Sequence, residues 1–335
     1  MSQVELLSPA GGFDKLKVAF LYGADAVYLG GRAFNLRAKS SNFSNQLLKE
    51  AVDYAHCRNK KVYVALNILA HDREIKVLPK FVKYLEEIRV DAVIVADLGI
   101  LDIVLENSNI PVHISTQAST TNWRTVKMWQ RLGAKRVVLA RELSINEIKT
   151  IKDHVPEMEI EAFAHGAMCM TYSGRCNLSQ YFSARDSNRG ACTNSCRWKY
   201  TLMEEKRPGE HFPVYEDETG SYIYNSKDLC SIEFIDKILD AGVTTLKIEG
   251  RMKSLYYCAN TTRIYREAID SYCSKEFSYK PKWLNELSKM SHRGYTTGFY
   301  HGKLDKHSQQ LDGGTYRTHK FAAYVKENSP ELILE

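Results

Sequence analysis

Eight short runs of Val, Ile, Leu, Ala and Tyr recur along the chain: VELL (4–7), AVYLG (26–30), KVYVALN (61–67), AVIVAD (92–97), VHIST (112–116), RVVLAR (136–141), IEAFAH (160–165) and TLKIEG (245–250). The runs are nearly continuous in apolar residues instead of alternating with polar ones, the pattern of parallel strands covered on both faces. Between them lie amphipathic segments such as FDKLKVAFLYG, NQLLKEAVDYAHCRN, VLPKFVKYLEEIR, NWRTVKMWQRLG and SINEIKTIKDH. Several follow Ser, Asn or Asp and end near Gly or a cationic residue, as helices do. Eight strand–helix units predict an α/β fold, a (β/α)8 TIM-type barrel, with a doubly wound open sheet as the alternative.

A barrel of this kind carries its chemistry where the strands end. Those ends hold Ser8, Arg32, Asn67, Asp97, Gln117, Arg141, Glu142, His165, Glu249 and Arg251, an unusually polar set. Two connections are long, and long loops in compact folds are commonly functional. GRAFNLRAKSSNFS follows the second strand, and a cysteine-rich insertion, 166–230, follows the seventh. Beyond the eighth strand, SLYYCANTTRIYREAIDSYC reads as a long helix and WLNELSKMS as a second, followed by the loop RGYTTGFYHGK. The expected organisation is a barrel over 1–275 that includes the insertion, a helical and loop extension over 276–318, and over 319–335 the start of a truncated C-terminal β element.

Composition narrows the function classes. The 335 residues are 44% hydrophobic and 26% charged, without low-complexity runs, as in a globular protein. No stretch is long and apolar enough to span a bilayer, and MSQVELLSPAGG does not read as a signal peptide, so no membrane and a cytoplasmic location are expected. In a reducing compartment the eight cysteines point to metal binding or catalysis rather than disulfides. Cys57, Cys258 and Cys273 stand alone and read as structural. The net charge of +6 suits a polyanion partner without requiring one, and oligomeric state is not readable.

Cys169, Cys176, Cys192 and Cys196 follow a C-x6-C-x15-C-x3-C spacing, with Cys230 further on. Four thiolates in one loop-rich segment can close a tetrahedral zinc site or hold a cubane iron–sulfur cluster. The spacing lacks the tight pairs of zinc ribbons, and it leaves iron–sulfur, zinc and unligated thiols all open. Gly166, Gly174 and Gly190 would let backbone amides approach cluster sulfurs, and Arg175, Arg185, Arg189 and Arg197 would offset the cluster's charge.

EAFAHGAMCMTYSGRCNLS (161–179) carries Glu161, Phe163, Gly166, Ala167, Met168, Cys169, Gly174, Cys176, Leu178 and Ser179 in a fixed order that resembles the signature of the collagenase-like peptidase family of unassigned catalytic type, peptidase family U32. Further likeness runs through LLSPAG, YGADAVY, STQAS, LARELS, RGACTNSCRW, YEDETGSYIYNSKDL, LKIEGRMKS and HRGYTTGF. The stretches look most like the branch of that family that hydroxylates tRNA uridine. That resemblance implies a barrel, a 4Fe-4S cluster, prephenate as cosubstrate in an oxygen-independent route to wobble 5-hydroxyuridine, and tRNA as partner. It also leaves open a ribosomal RNA or ubiquinone-precursor hydroxylase, a peptidase, and a zinc-stabilised non-catalytic scaffold.

Carried onto this sequence, the resemblance places the cluster ligands on Cys169, Cys176, Cys192 and Cys196, with Cys230 as an alternative fourth. Prephenate has two carboxylates, and arginine forks bind carboxylates bidentately. Arg37, Arg141 and Arg251 are therefore the expected clamps, with Asn67 and Gln117 beside them. Glu161, His165 and Glu249 are the acid–base candidates, since hydroxylating uracil removes a ring proton. Arg197, Trp198, Lys199, Tyr200, Lys247, Lys253 and Tyr256 combine charge and aromatic rings as an RNA surface would. Neither H-E-x-x-H nor G-x-S-x-G occurs, and no Cys–His pairing for a peptidase is readable from spacing.

Overall fold

The computed structural model describes residues 4–36, 42–169, 172, 176–193, 195, 227–302, 316 and 318–319, and the backbone alone at 202–203, 211–212, 215–217, 220–222, 325–327 and 333–334. Arg37, Cys196, Arg197, Trp198, Lys199 and Tyr200 lie outside the described residues.

The eight predicted runs become strands β1 (Glu5–Pro9), β2 (Ala26–Leu29), β3 (Lys61–Leu66), β4 (Ala92–Val95), β5 (Val112–Ile114), β6 (Arg136–Val138), β7 (Glu159–Ala167) and, after the insertion, β13 (Thr245–Ile248). Each pairs in parallel with the next, and β13 pairs with both β7 and β1, which closes an eight-stranded barrel. Helices α1 (Phe13–Leu21), α2 (Asn45–His56), α4 (Leu78–Glu87), α6 (Trp123–Arg131), α7 (Ile145–His154) and α10 (Leu255–Cys273) fall where amphipathic segments predict them. A short α3 (Asp72–Ile75) precedes α4, and α5 (Leu98–Asn107) and α9 (Ile235–Asp240) complete the outer ring.

Side-chain caps start several helices. Ser44 accepts from the Leu47 amide, Asn122 from Thr125, and Ser144 forms a reciprocal box with Glu147. Asp97 does the same for α5, accepting from the Gly99 and Ile100 amides, so this strand-end carboxylate is a cap and not a site residue.

Apolar side chains of strands and helices pack between the two layers, while Leu7, Ala26, Tyr28, Tyr63, Ala92 and Ile94 form a separate cluster inside the barrel. That inner cluster draws on β1–β4 alone. On the other side of the lumen stand His113, Arg136, Glu161 and Lys247, all buried and all on strands.

The insertion leaves and returns at one place. β7 runs to Ala167, and β12 (Asp228–Cys230) pairs antiparallel with its end, matching Asp228 with Ala167 and Cys230 with His165. Between them are α8 (Leu178–Ser183) and the strand pairs β8 (Leu202–Met203) with β9 (His211–Phe212) and β10 (Tyr215–Asp217) with β11 (Gly220–Tyr222). After α10 come α11 (Pro281–Ser288) and β14 (Tyr295–Thr296), which adds to β12. β15 (Val325–Glu327) and β16 (Ile333–Leu334) pair antiparallel. No helix among the described residues is long and apolar enough to cross a membrane.

Candidate active site at the barrel mouth

The inward-facing residues at the strand ends enclose a cavity with about 520 Å³ of atom-free space, part of it open to solvent. Asn67, Gln117, Arg141, Glu249 and Arg251 line it, so five of the expected site residues meet there. Lys247 lines it as well, together with Tyr28, Ser115, Thr116 and Phe163.

Arg141 follows β6, and its guanidinium lies 4.2 Å from the centre of the Phe163 ring. One terminal nitrogen donates to the Ala167 carbonyl at 2.7 Å, whereas its buried Nε has no hydrogen-bond partner. A guanidinium held on an aromatic face with donor capacity to spare is suited to an entering carboxylate.

Arg251 lies across the mouth and is almost fully buried. It donates to Asn35 Oδ1 at 3.3 Å and to Asn42 Oδ1 at 2.8 Å, which ties the loop after β2 to the end of β13. Gly30 makes room for it, since a Cβ there would fall 2.6 Å from an Arg251 nitrogen. Asn67 accepts from the Leu36 amide of the same loop at 3.4 Å.

Glu249 is half-buried, with its backbone fixed from two sides: its amide donates to the His165 carbonyl, and the Tyr257 hydroxyl donates to its carbonyl. The Tyr28 hydroxyl donates to Ile248 O at 3.0 Å and lies 3.4 Å from Glu249 Oε2.

Three expectations change on inspection of the interior. Lys247 is not on an RNA surface; it is 4% exposed inside the barrel. Its ammonium sits 2.7 Å from Glu161 Oε1 and 4.5 Å from the Tyr28 ring centre. Glu161 is fully buried and does not line the cavity; it bridges Lys247 and Arg136, the second at 3.3 Å. Arg136 in turn holds Glu5 at 2.6 Å and Glu159 at 2.8 Å. Burial alone would push the Glu5 carboxyl up, but the charge and hydrogen bonds of Arg136 and the Tyr63 hydroxyl hold it below the usual range.

His165 also lies off the cavity. It is buried beyond the barrel wall, among the rings of Tyr257, Tyr265 and Tyr295, with Nδ1 3.4 Å from the Tyr265 hydroxyl. Burial lowers it to about 3, against the opposing pull of Asp228, so it is neutral near pH 7. That environment serves packing rather than proton transfer at the mouth.

The cysteines divide by environment. Cys169 is exposed and Cys176 and Cys192 half-buried, all three outside any disulfide on the segment leaving β7. Ser179 Oγ stands 3.7 Å from Cys192 Sγ. The donor set is chemically that of a thiolate site. Among the described residues, however, no three Cys, His, Asp or Glu side chains stand together as a metal site. Cys230 has a different environment: it is buried in the core, 3.9 Å from the Tyr265 hydroxyl, and burial pushes its thiol up to about 12. Of the remaining RNA candidates, Lys253 is partly exposed, 3.8 Å from Asp228, over the Tyr257 ring. The wall residues Tyr28, Ser115, Thr116 and Phe163 escaped the sequence reading, although alternation along β2 and β7 points Tyr28 and Phe163 inward; Ser115 and Thr116 lie in the turn that follows β5.

A family model described as Peptidase family U32 matches residues 11–310. The chain belongs to peptidase family U32. Among similar proteins, tRNA hydroxylation protein P of Escherichia coli (strain K12) is 42% identical over 339 residues, covering 89% of this chain and 75% of that one. tRNA hydroxylation protein P1 of Bacillus subtilis (strain 168) is 44% identical over 301 residues, covering 89% and 71%. Collagenase of Porphyromonas gingivalis (strain ATCC BAA-308 / W83) is 32% identical over 331 residues, covering 95% and 78%. The U32 match takes in every strand of the barrel except β1, and both long loops.

Proposed function

We propose that this U32 chain is a tRNA-modifying hydroxylase that forms 5-hydroxyuridine at the wobble position, using prephenate and a 4Fe-4S cluster without oxygen. The observation that carries the reading is the cavity, whose wall sets Arg141, Lys247 and Arg251 against one acid, Glu249. Excess positive charge in a recess suits a small dicarboxylate, and the names of the two tRNA hydroxylation relatives supply the substrate class.

Arg141 and Lys247 bind the carboxylates, and the 2.7 Å contact with Glu161 fixes where the Lys247 ammonium sits. Phe163 and Tyr28 supply flat walls for a uracil ring. Glu249 is the carboxylate in the cavity wall available to accept a proton from the ring. Cys169, Cys176, Cys192 and Cys196 would hold the cluster, which would supply electron transfer.

The peptidase reading meets an obstacle in the described residues. Cys230 and His165 are register partners, yet burial keeps the thiol protonated and the imidazole neutral, the reverse of an activated Cys–His pair.

The test is nucleoside mass spectrometry of tRNA from a bacterial host lacking its own tRNA hydroxylation gene, with and without this chain. Wobble 5-hydroxyuridine should appear only with the chain and should vanish in Arg141→Ala. Restoration of none, with the protein expressed and folded, would overturn the substrate assignment.

A further inference from the structure

A second recess lies outside the barrel, lined by Phe34, Asn45, Val77, Pro79, Lys80, Phe81, Lys83, Tyr84 and Glu87, with about 1210 Å³ of atom-free space open to solvent. Its floor is aromatic. The rings of Phe34 and Phe81 stand 5.5 Å apart, and those of Phe81 and Tyr84 6.4 Å apart and nearly parallel. All three are half-buried, packed against the core while lining the recess. The Tyr84 hydroxyl donates to the Asn45 carbonyl at 2.5 Å, which fixes that ring. Lys80 and Lys83 are exposed along the same helix, α4, and outnumber the single acid, Glu87.

Two further observations raise this recess above an ordinary core edge. Phe34 has φ 64, a left-handed conformation that glycine or asparagine adopts far more readily than an aromatic residue. The backbone is strained to present a ring there. Moreover Phe34, Asn35 and Leu36 are consecutive: Phe34 lines the recess, Asn35 binds Arg251, and Leu36 lines the cavity. Two residues of chain span at most about 7 Å, so recess and cavity share one wall.

We infer that this recess seats the single-stranded RNA next to the base that enters the cavity, with a neighbouring base stacked on the Phe34–Phe81–Tyr84 rings and backbone phosphates on Lys80 and Lys83. The inference rests on the RNA-hydroxylase reading and extends it to a surface that reading does not assign. Stacking platforms flanked by cations are the general means of holding unpaired nucleotides, tolerant of sequence and sensitive to salt.

The experiment measures tRNA binding by the full chain across a salt series. Phe34→Asn removes the ring while relieving the backbone, and should weaken tRNA binding at least fivefold with the salt slope unchanged. Lys80→Gln with Lys83→Gln should lower that slope by roughly 1.4, the value for two phosphates on a single strand. Prephenate binding should be untouched in both. A second measurement needs no variant: 4-thiouridine placed beside the target uridine of an anticodon stem-loop should photocrosslink to the peptide holding Phe34 or to that holding Phe81 and Tyr84. Wild-type affinity in all variants, or crosslinks confined to other peptides, overturns the inference. Wild-type protein that binds no tRNA at all overturns the hydroxylase reading itself, and Phe34-dependent binding of gelatin peptides in its place would give the recess to a protein partner.

Discussion

At the scale of single residues, the most consequential pair is Glu161 and Lys247. Both were expected to meet the substrate directly, one as a base and the other on an RNA surface, and the barrel turns both inward. Buried ion pairs add little net stability, but breaking one leaves an uncompensated charge. Lys247→Met is therefore expected to cost about 3 kcal/mol in urea unfolding. In calorimetry it should weaken prephenate binding tenfold or more, and unchanged affinity would remove Lys247 from the site. The cysteines give a second residue-scale test. Cys169→Ala should strip iron from anaerobically purified protein and abolish its visible absorption, whereas Cys230→Ala, a change within the core, should retain both. Iron lost from the Cys230 variant and kept in the Cys169 variant would reverse the ligand assignment. Strand-end polar residues were legible one by one, but which of them share a cavity was not. Asn67, Gln117, Arg141, Glu249 and Arg251 converge there, while Asp97 caps a helix and Ser8 bonds Thr262 on α10.

At the scale of elements, continuous apolar runs located all eight barrel strands because each is buried on both faces. Helix α5 was harder to see. LGILDIVLEN is apolar on most of its circumference, leaving Leu98 and Leu105 exposed, so the amphipathic signal that marks the other helices is weak. Its cap was the readable clue. β7 carries a sharp local constraint: Gly166 has φ 111, and a Cβ there would lie 2.4 Å from the Glu249 carbonyl oxygen. Gly166→Ala is expected to displace Glu249 and lower the melting temperature by several degrees, with hydroxylation falling more than folding alone explains. A variant with wild-type melting and activity would show that the β7–β13 contact can relax.

At the scale of the whole molecule, acid should loosen the fold in two stages. His165 is held near 3 by burial and takes up a proton on unfolding, so its contribution is complete above about 6.5 and declines as the pH falls below that. Glu5 and Asp228 are buried, yet Arg136 and Arg293 hold them below their ordinary values, so their contributions persist above those values and are lost as the pH drops beneath them. Urea midpoints should accordingly fall from pH 6.5 downward, and His165→Gln should shrink the upper stage, to which His113 and His292 also contribute because burial lowers them too, while leaving the lower stage as it is. A midpoint constant down to pH 5 in the native protein would contradict the buried neutral imidazole. The pairing of Asp228 with Ala167 has a different kind of consequence. Because the chain departs and rejoins at adjacent rungs of one ladder, the number of residues between 168 and 227 is not set by the spacing of the barrel strands; what ties the stretch to the barrel is local, Arg189 to Glu74 and the Asn188 carbonyl to the Leu69 amide.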